Sequence, residues 1–278
     1  MPTERSWFRL LDALLRGEST RDPVGLTERL PLRRFTLLGV GLGVAYGVFM
    51  GLYAVTWRWG TAGAVDGWKQ LAAGALKLPA LFFLTLLVTF PSLYVFSALM
   101  GTRLGFLATL RVLVSGIVVN LCVAASLGPI VGFFTLSTND YSFMVLLNVI
   151  ALGVAGLVGM GFLLRTMRSL GRGDGRLAWE SHPDVPGEMS HGAAGNGPLP
   201  LNTVTVPGAS NGRGGVMGMF VIWMFIYGLV GSQMGWILRP FIGHPNMPFV
   251  LFRAAEDGRT GSFFEALFQT LGRLLGVN

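Results

Sequence analysis

The sequence predicts an all-α polytopic membrane protein, five transmembrane helices with amphipathic N- and C-terminal helices. Three observations predict it. Several stretches carry almost no charge over ~20 residues, the length a helix needs to cross a bilayer. Charged residues make up only 13% of the chain, against about 25% in soluble domains. Lysine and arginine gather at the ends of the apolar stretches and are nearly absent within them. Topology and anionic lipid impose that distribution, so the net charge of +7 speaks for a membrane surface and against nucleic acid.

Residues 1–34 form a basic amphipathic leading segment. Trp7, Phe8, Leu11, Leu14 and Leu15 share one helical face, with Arg5, Arg9 and Arg16 mostly on the other. Such a helix lies in the headgroup plane or docks on a partner. Pro23 and Pro31 interrupt the chain before Arg33 and Arg34. The first 30 residues hold no continuous apolar run, so no cleavable signal peptide is expected.

A four-helix membrane block is expected over 35–164. Span one, Phe35 to Trp57, carries Gly39, Gly43, Gly47 and Gly51 at every fourth position. Residues i and i+4 share a helix face, so these glycines form a stripe nearly free of side chains. In water each would weaken the helix by roughly 1 kcal/mol relative to alanine. In a bilayer the stripe lets another span, or another copy of the chain, approach backbone to backbone. Gly60 to Lys77 reads as a loop with a weakly amphipathic stretch around Val65, Trp68 and Leu71.

Span two, Leu78 to Met100, holds Pro91, which predicts a kink because proline cannot donate to the Leu87 carbonyl. Thr89 and Ser92 stand ready to satisfy the freed backbone groups. Span three, about Phe106 to Leu127, places Asn120 and the single cysteine, Cys122, near mid-membrane, and Gly128-Pro129 ends or bends it. Span four, about Phe143 to Leu164, carries Gly153, Gly156, Gly159 and Gly161 as a second close-packing face, with Asn148 its one strongly polar side chain.

Residues 165–214 begin with Arg165, Arg168, Arg172 and Arg176 and continue as a Gly-, Pro-, Asn- and Ser-rich cytoplasmic loop with no apolar period. A fifth span is expected within 215–240, from about Val216 to Leu238, with Gln233 inside it. Residues 241–278 form the tail: a proline-interrupted apolar piece, Phe241 to Phe252, and then an apolar helical face of Phe264, Leu267, Phe268, Leu271 and Leu275. The first piece is too broken for a sixth span, though a re-entrant segment fits it.

With the N-terminus in the cytoplasm, 14 basic residues fall inside and 7 outside. That is the positive-inside direction, and the expected location is a bacterial inner membrane. Arg239, Arg253, Arg259 and Arg273 of the tail fall outside on this reading.

Reactive chemistry is scarce. Gly208-Ala209-Ser210-Asn211-Gly212 matches a nucleophile-elbow pattern but lies among turn residues, without the strand and helix that motif needs. His182, Asp184, Glu188 and His191 follow no metal-ligand spacing. The sequence therefore predicts no cofactor, no metal and no enzyme. Asn120, Asn148 and Gln233 would line a polar path if the chain moves a neutral solute; interhelical hydrogen bonding is the commoner use of such amides.

The stretch from Lys77-Leu78-Pro79 through Pro91 to Gly101-Thr102-Arg103-Leu104, with Ser115-Gly116, carries a resemblance. With a basic N-terminal region and five closely connected spans, the layout resembles the Yip1-type membrane proteins, over about Phe35 to Leu238. The resemblance implies a role in organising membrane. The long loop before span five and the amphipathic tail depart from that family's pattern. The expected function is a non-enzymatic integral membrane protein that organises membrane or scaffolds a complex. A channel or permease component for a neutral solute is the alternative. The expected partners are the lipid bilayer and either further copies of the chain or other membrane subunits.

Overall fold

The computed structural model describes residues 12, 31–59, 63–99, 106–180, 211–239, 241–242, 249–252 and 262–276. They fold into six helices: α1 Leu32–Arg58, α2 Ala64–Leu99, α3 Phe106–Ser137, α4 Tyr141–Glu180, α5 Asn211–Ile237 and α6 Phe263–Leu275. No strand occurs among the described residues. Five segments are long and apolar enough to span a bilayer: Leu32–Arg58, Ala64–Val95, Phe106–Ser137, Tyr141–Ser169 and Gly218–Ile237. Of the N-terminal amphipathic segment, residues 1–11 and 13–30 lie outside the described residues, as do 181–210.

The helices overrun their expected ends. Residues 64–77, read as a loop, form the first turns of α2. The reason is packing that the sequence does not display. A Cβ on Gly67 would lie 2.9 Å from the Ala54 carbonyl oxygen, so this stretch rests directly on the end of α1. Asp66 sits in the first turn, where the helix dipole favours an acid, and accepts from Lys69 at 3.3 Å. Helix α3 continues through Gly128-Pro129 to Ser137 instead of ending there. In a bilayer only the helix pairs its own backbone groups, so one missing donor does not end it. Phe49 of α1 also covers Gly128, where a Cβ would come within 2.4 Å of its ring. Helix α4 runs on to Glu180 through the arginine run, past Gly171, Gly173 and Gly175.

The core is the antiparallel pair α1 and α2, joined along one seam. Gly39 faces Phe83, Gly43 faces Pro79, Gly47 faces Ala75, Gly51 faces Leu71, and Val55 faces Gly67. Each step is four residues on both helices, in opposite directions. At Gly47 and Gly51 an added Cβ would sit 2.7 and 2.6 Å from the Cα of Ala75 and Leu71, so backbone touches backbone. The neighbour across the glycine ladder is thus a helix of the same chain.

Helix α3 packs against α1, and α4 against α3 through Gly116 and Gly159. A Cβ on Gly116 would meet the Leu163 side chain at 2.6 Å, and one on Gly159 would meet the Asn120 Cβ at 3.0 Å. Asp140 caps α4, accepting from the backbone N–H groups of Ser142 and Phe143 at 2.8 and 3.3 Å. Helix α5 lies on α2, held by two side chains: the Trp223 indole N–H donates to the Thr89 carbonyl at 3.1 Å and the Tyr227 hydroxyl to that of Phe82 at 3.1 Å.

Helix α2 is continuous through both Pro79 and Pro91. Pro79 sits on the seam where Gly43 leaves room for its ring, and Pro91 faces outward. The hydroxyls expected to serve the carbonyl freed at Pro91 bond elsewhere. Thr89 donates to Thr85 at 2.8 Å and Ser92 to Thr89 at 2.6 Å.

After α5 the described parts of the proline-interrupted piece fold back onto α2 and α4. The buried Gln70 amide donates to the Phe241 carbonyl at 3.1 Å, and Tyr141 donates to that of Ile242 at 3.4 Å. Lys77, 5% exposed, donates to the Leu251 carbonyl and lies over the Phe252 ring.

The cleft as candidate functional site

Helices α4 and α5 touch only briefly, and beside that contact opens a cavity of about 1330 Å³. Its walls are α2, α3, α4 and α5, with Met50 of α1, and α6 completes the lining. Along α4 the lining extends from Tyr141 to Leu163. At 1.5 Å per residue that is about 33 Å, close to the thickness of a bilayer's hydrocarbon core.

Glycines make this space. Gly153 and Gly156 of α4 and Gly228 and Gly235 of α5 line the cavity, and a Cβ on any of them would meet nothing within 4 Å. This corrects the expectation of a close-packing face at Gly153 and Gly156. Both glycines border open space, and on α4 the close contact to a neighbouring helix lies at Gly159. The glycine spacing is the same in either case. What differs is that α3 passes beneath Gly159, with Asn120 against it.

The two span amides of α3 and α4 share the cavity, and Gln233 is not part of its lining. Asn148 is engaged within the fold: its Oδ1 accepts from the Tyr46 hydroxyl at 3.0 Å, and its Nδ2 donates to the Met144 carbonyl at 2.8 Å. Asn120 is 9% exposed, and its Oδ1 is buried without a hydrogen-bond partner. The cavity thus has an apolar wall with one unmatched acceptor at mid-span.

The part of the lining that α6 supplies is different. Ser262 caps α6 by accepting from the Glu265 N–H, and Gly276 closes it at φ +69°, a conformation that suits glycine. Of the α6 side chains, Glu265, Gln269, Thr270 and Arg273 line the cavity together with Phe263, Ala266 and Leu267, while Phe268 and Leu275 point away, 71% and 65% exposed. The amphipathic helix therefore turns a mixed face toward the cleft, polar along one edge and apolar along the other. Arg239, just beyond α5, also lines the cavity, its guanidinium 3.5 Å above the Trp236 ring. Gln269 donates to Glu265 at 3.4 Å.

The sequence alone assigns no role at a site to Trp223, Tyr227, Arg239 or Arg273. Two signals were present: the run Gly228, Gly231, Gly235 at helical spacing, and the stripe Glu265, Gln269, Arg273. Among the described residues no group of three or more His, Cys, Asp or Glu side chains gathers as metal ligands. His182, Asp184, Glu188 and His191 lie outside the described residues, and 211–212 of the serine pattern fall in the first turn of α5.

Fold and cleft define a class, a multi-pass integral membrane protein built on five apolar helices with a cavity among them. Comparison with protein-family models, curated proteins and solved structures matches nothing.

Proposed function

We propose that this chain is a non-enzymatic integral membrane protein that organises membrane, scaffolding or anchoring what lies beside it, and that it does so by holding a bilayer component in the α4–α5 cleft. The cleft carries this reading. It is as long as the hydrocarbon core, its walls are mostly apolar, and glycines on both sides of it are free of neighbours. The Yip1-type resemblance agrees with such a role. Arginine placement supports an N-terminus in the cytoplasm of a bacterial inner membrane. Because the ladder on α1 is taken up by α2, assembly with further copies or other membrane subunits would use the outer faces of α4 and α5.

Filling the cleft tests the proposal. Gly156→Phe with Gly228→Phe places two rings where a Cβ meets nothing, so the fold tolerates them while the space closes. Native mass spectrometry of particles extracted from nanodiscs then reads what stays bound. Wild type is expected to retain a lipid, or another membrane chain in fixed ratio, and the filled variant to lose it. A bare monomer for both proteins overturns the reading.

A channel or permease role for a neutral solute has one observation in its favour: Asn120 and Asn148 line the same cavity. Solute flux in reconstituted vesicles, abolished by Asn120→Leu, would establish it. The size of the space argues against it, since small-molecule sites run to about 300–1,000 Å³.

A further inference from the structure

We propose that the cleft is a binding site for one anionic phospholipid, its headgroup under the polar stripe of α6 and its chains along the glycines of α4 and α5. This rests on the proposed function above and specifies its ligand. Three observations carry it.

The first is a gradient of polarity within one cavity. Leu81, Leu152, Leu157 and Met224 belong to long walls that are mostly apolar, and all the charged lining residues, Glu265, Arg273 and Arg239, come from α6 and the chain just beyond α5. A small solute has no use for a bilayer-length apolar wall. A lipid needs both parts, in that order.

The second is the orientation of α6. An interfacial helix with no partner turns its apolar face into the acyl region and its polar face to water. Here Glu265, Gln269, Thr270 and Arg273 line the cleft beside Phe263, Ala266 and Leu267, and Phe268 and Leu275 face outward. That orientation leaves polar side chains over an apolar space, which is favourable where a headgroup meets them.

The third is charge. Arg239 and Arg273 reach the cavity from two different elements, against the single carboxylate of Glu265, to which Gln269 donates. Stacking on Trp236 fixes the plane of the Arg239 guanidinium, the arrangement suited to paired contacts with phosphate. A transmembrane helix of a partner would meet the same walls but would have to place acidic residues under α6.

The test uses the full chain in nanodiscs of equal parts phosphatidylglycerol and phosphatidylcholine, with retained lipid read by native mass spectrometry. Wild type is expected to keep one lipid per chain and to favour phosphatidylglycerol by about tenfold, the scale of one charge-assisted hydrogen bond. Arg239→Ala with Arg273→Ala should abolish the preference. Arg273→Glu is the second variant, since α6 holds no buried residue and its folding risk is low; it should shift retention toward phosphatidylcholine. Gln233→Leu, outside the cavity lining, should leave the preference unchanged. One retained lipid with no headgroup preference in wild type overturns this assignment and leaves the cleft reading standing. A polypeptide in the cleft, in place of lipid, also overturns it. Retention of nothing overturns both.

Discussion

Gly47 of α1 and Ala75 of α2 touch through their backbones: a Cβ on Gly47 would lie 2.7 Å from the Ala75 Cα and 2.7 Å from the Gly74 carbonyl oxygen. No hydrophobic force draws two helices together inside lipid, so van der Waals packing at such distances holds the pair. Backbone cannot rotate aside as a side chain does, which makes the seam intolerant of added atoms.

Gly47→Ala should therefore destabilise the protein by roughly 1–3 kcal/mol, the usual cost of overpacking, and Gly47→Leu should prevent correct folding. Gly41→Ala is the control, because a Cβ there meets nothing within 4 Å. Thermal unfolding in detergent compares them. Equal melting temperatures for the two alanine variants would contradict the seam.

The Tyr46 hydroxyl and the Asn148 amide join α1 to α4 across 3.0 Å. Hydrogen bonds between membrane helices average about 0.6 kcal/mol in double-mutant cycles, with a maximum near 1.7. A cycle of Tyr46→Phe and Asn148→Leu should give a coupling in that range. A coupling indistinguishable from zero would mean that the contact adds nothing to stability.

Helix α5 depends on Trp223 and Tyr227 for its polar attachment to α2. Trp223→Phe and Tyr227→Phe together should weaken that attachment by about 1 kcal/mol per bond lost. Hydrogen exchange should rise in α5 and stay unchanged in α1 and the facing part of α2. Uniform change throughout would show that α5 and the core unfold as one unit.

Lys77 and Gln70 tie the chain after α5 back to α2 through the carbonyls of Leu251 and Phe241. Lys77→Met with Gln70→Leu should free 241–252 for protease cleavage and leave the extracted particle monodisperse. Unchanged cleavage would show that other contacts hold this segment.

Topology is open to labelling in a Cys122→Ser background. A cysteine at Thr138, between α3 and α4, should react from outside, and one at Arg168 only after permeabilisation. The reverse pattern would invert the positive-inside assignment.

The sequence by itself determined the spans. A bilayer demands uncharged runs of a set length, and such runs with arginines at their ends have no second interpretation. It also determined that α1 has a bare face, since four glycines at i+4 spacing point one way on any helix. What lies opposite a face is another matter. Gly43 and Gly156 occupy similar local sequences, yet one is pressed against Pro79 and the other borders a cavity. Helix periodicity fixes the direction of a residue relative to its own axis. The position of the neighbouring axis comes from distant residues such as Phe49 on Gly128, Asn120 under Gly159, and Trp223 on Thr89. For the same reason Asn148 went to Tyr46, Asn120 to the cleft and Gln233 to neither, although all three are lone amides in apolar spans. The polar stripe of α6 was visible as a pattern. Which of its residues line the cleft followed only from where α4 and α5 lie, because a helix face has meaning relative to what it covers.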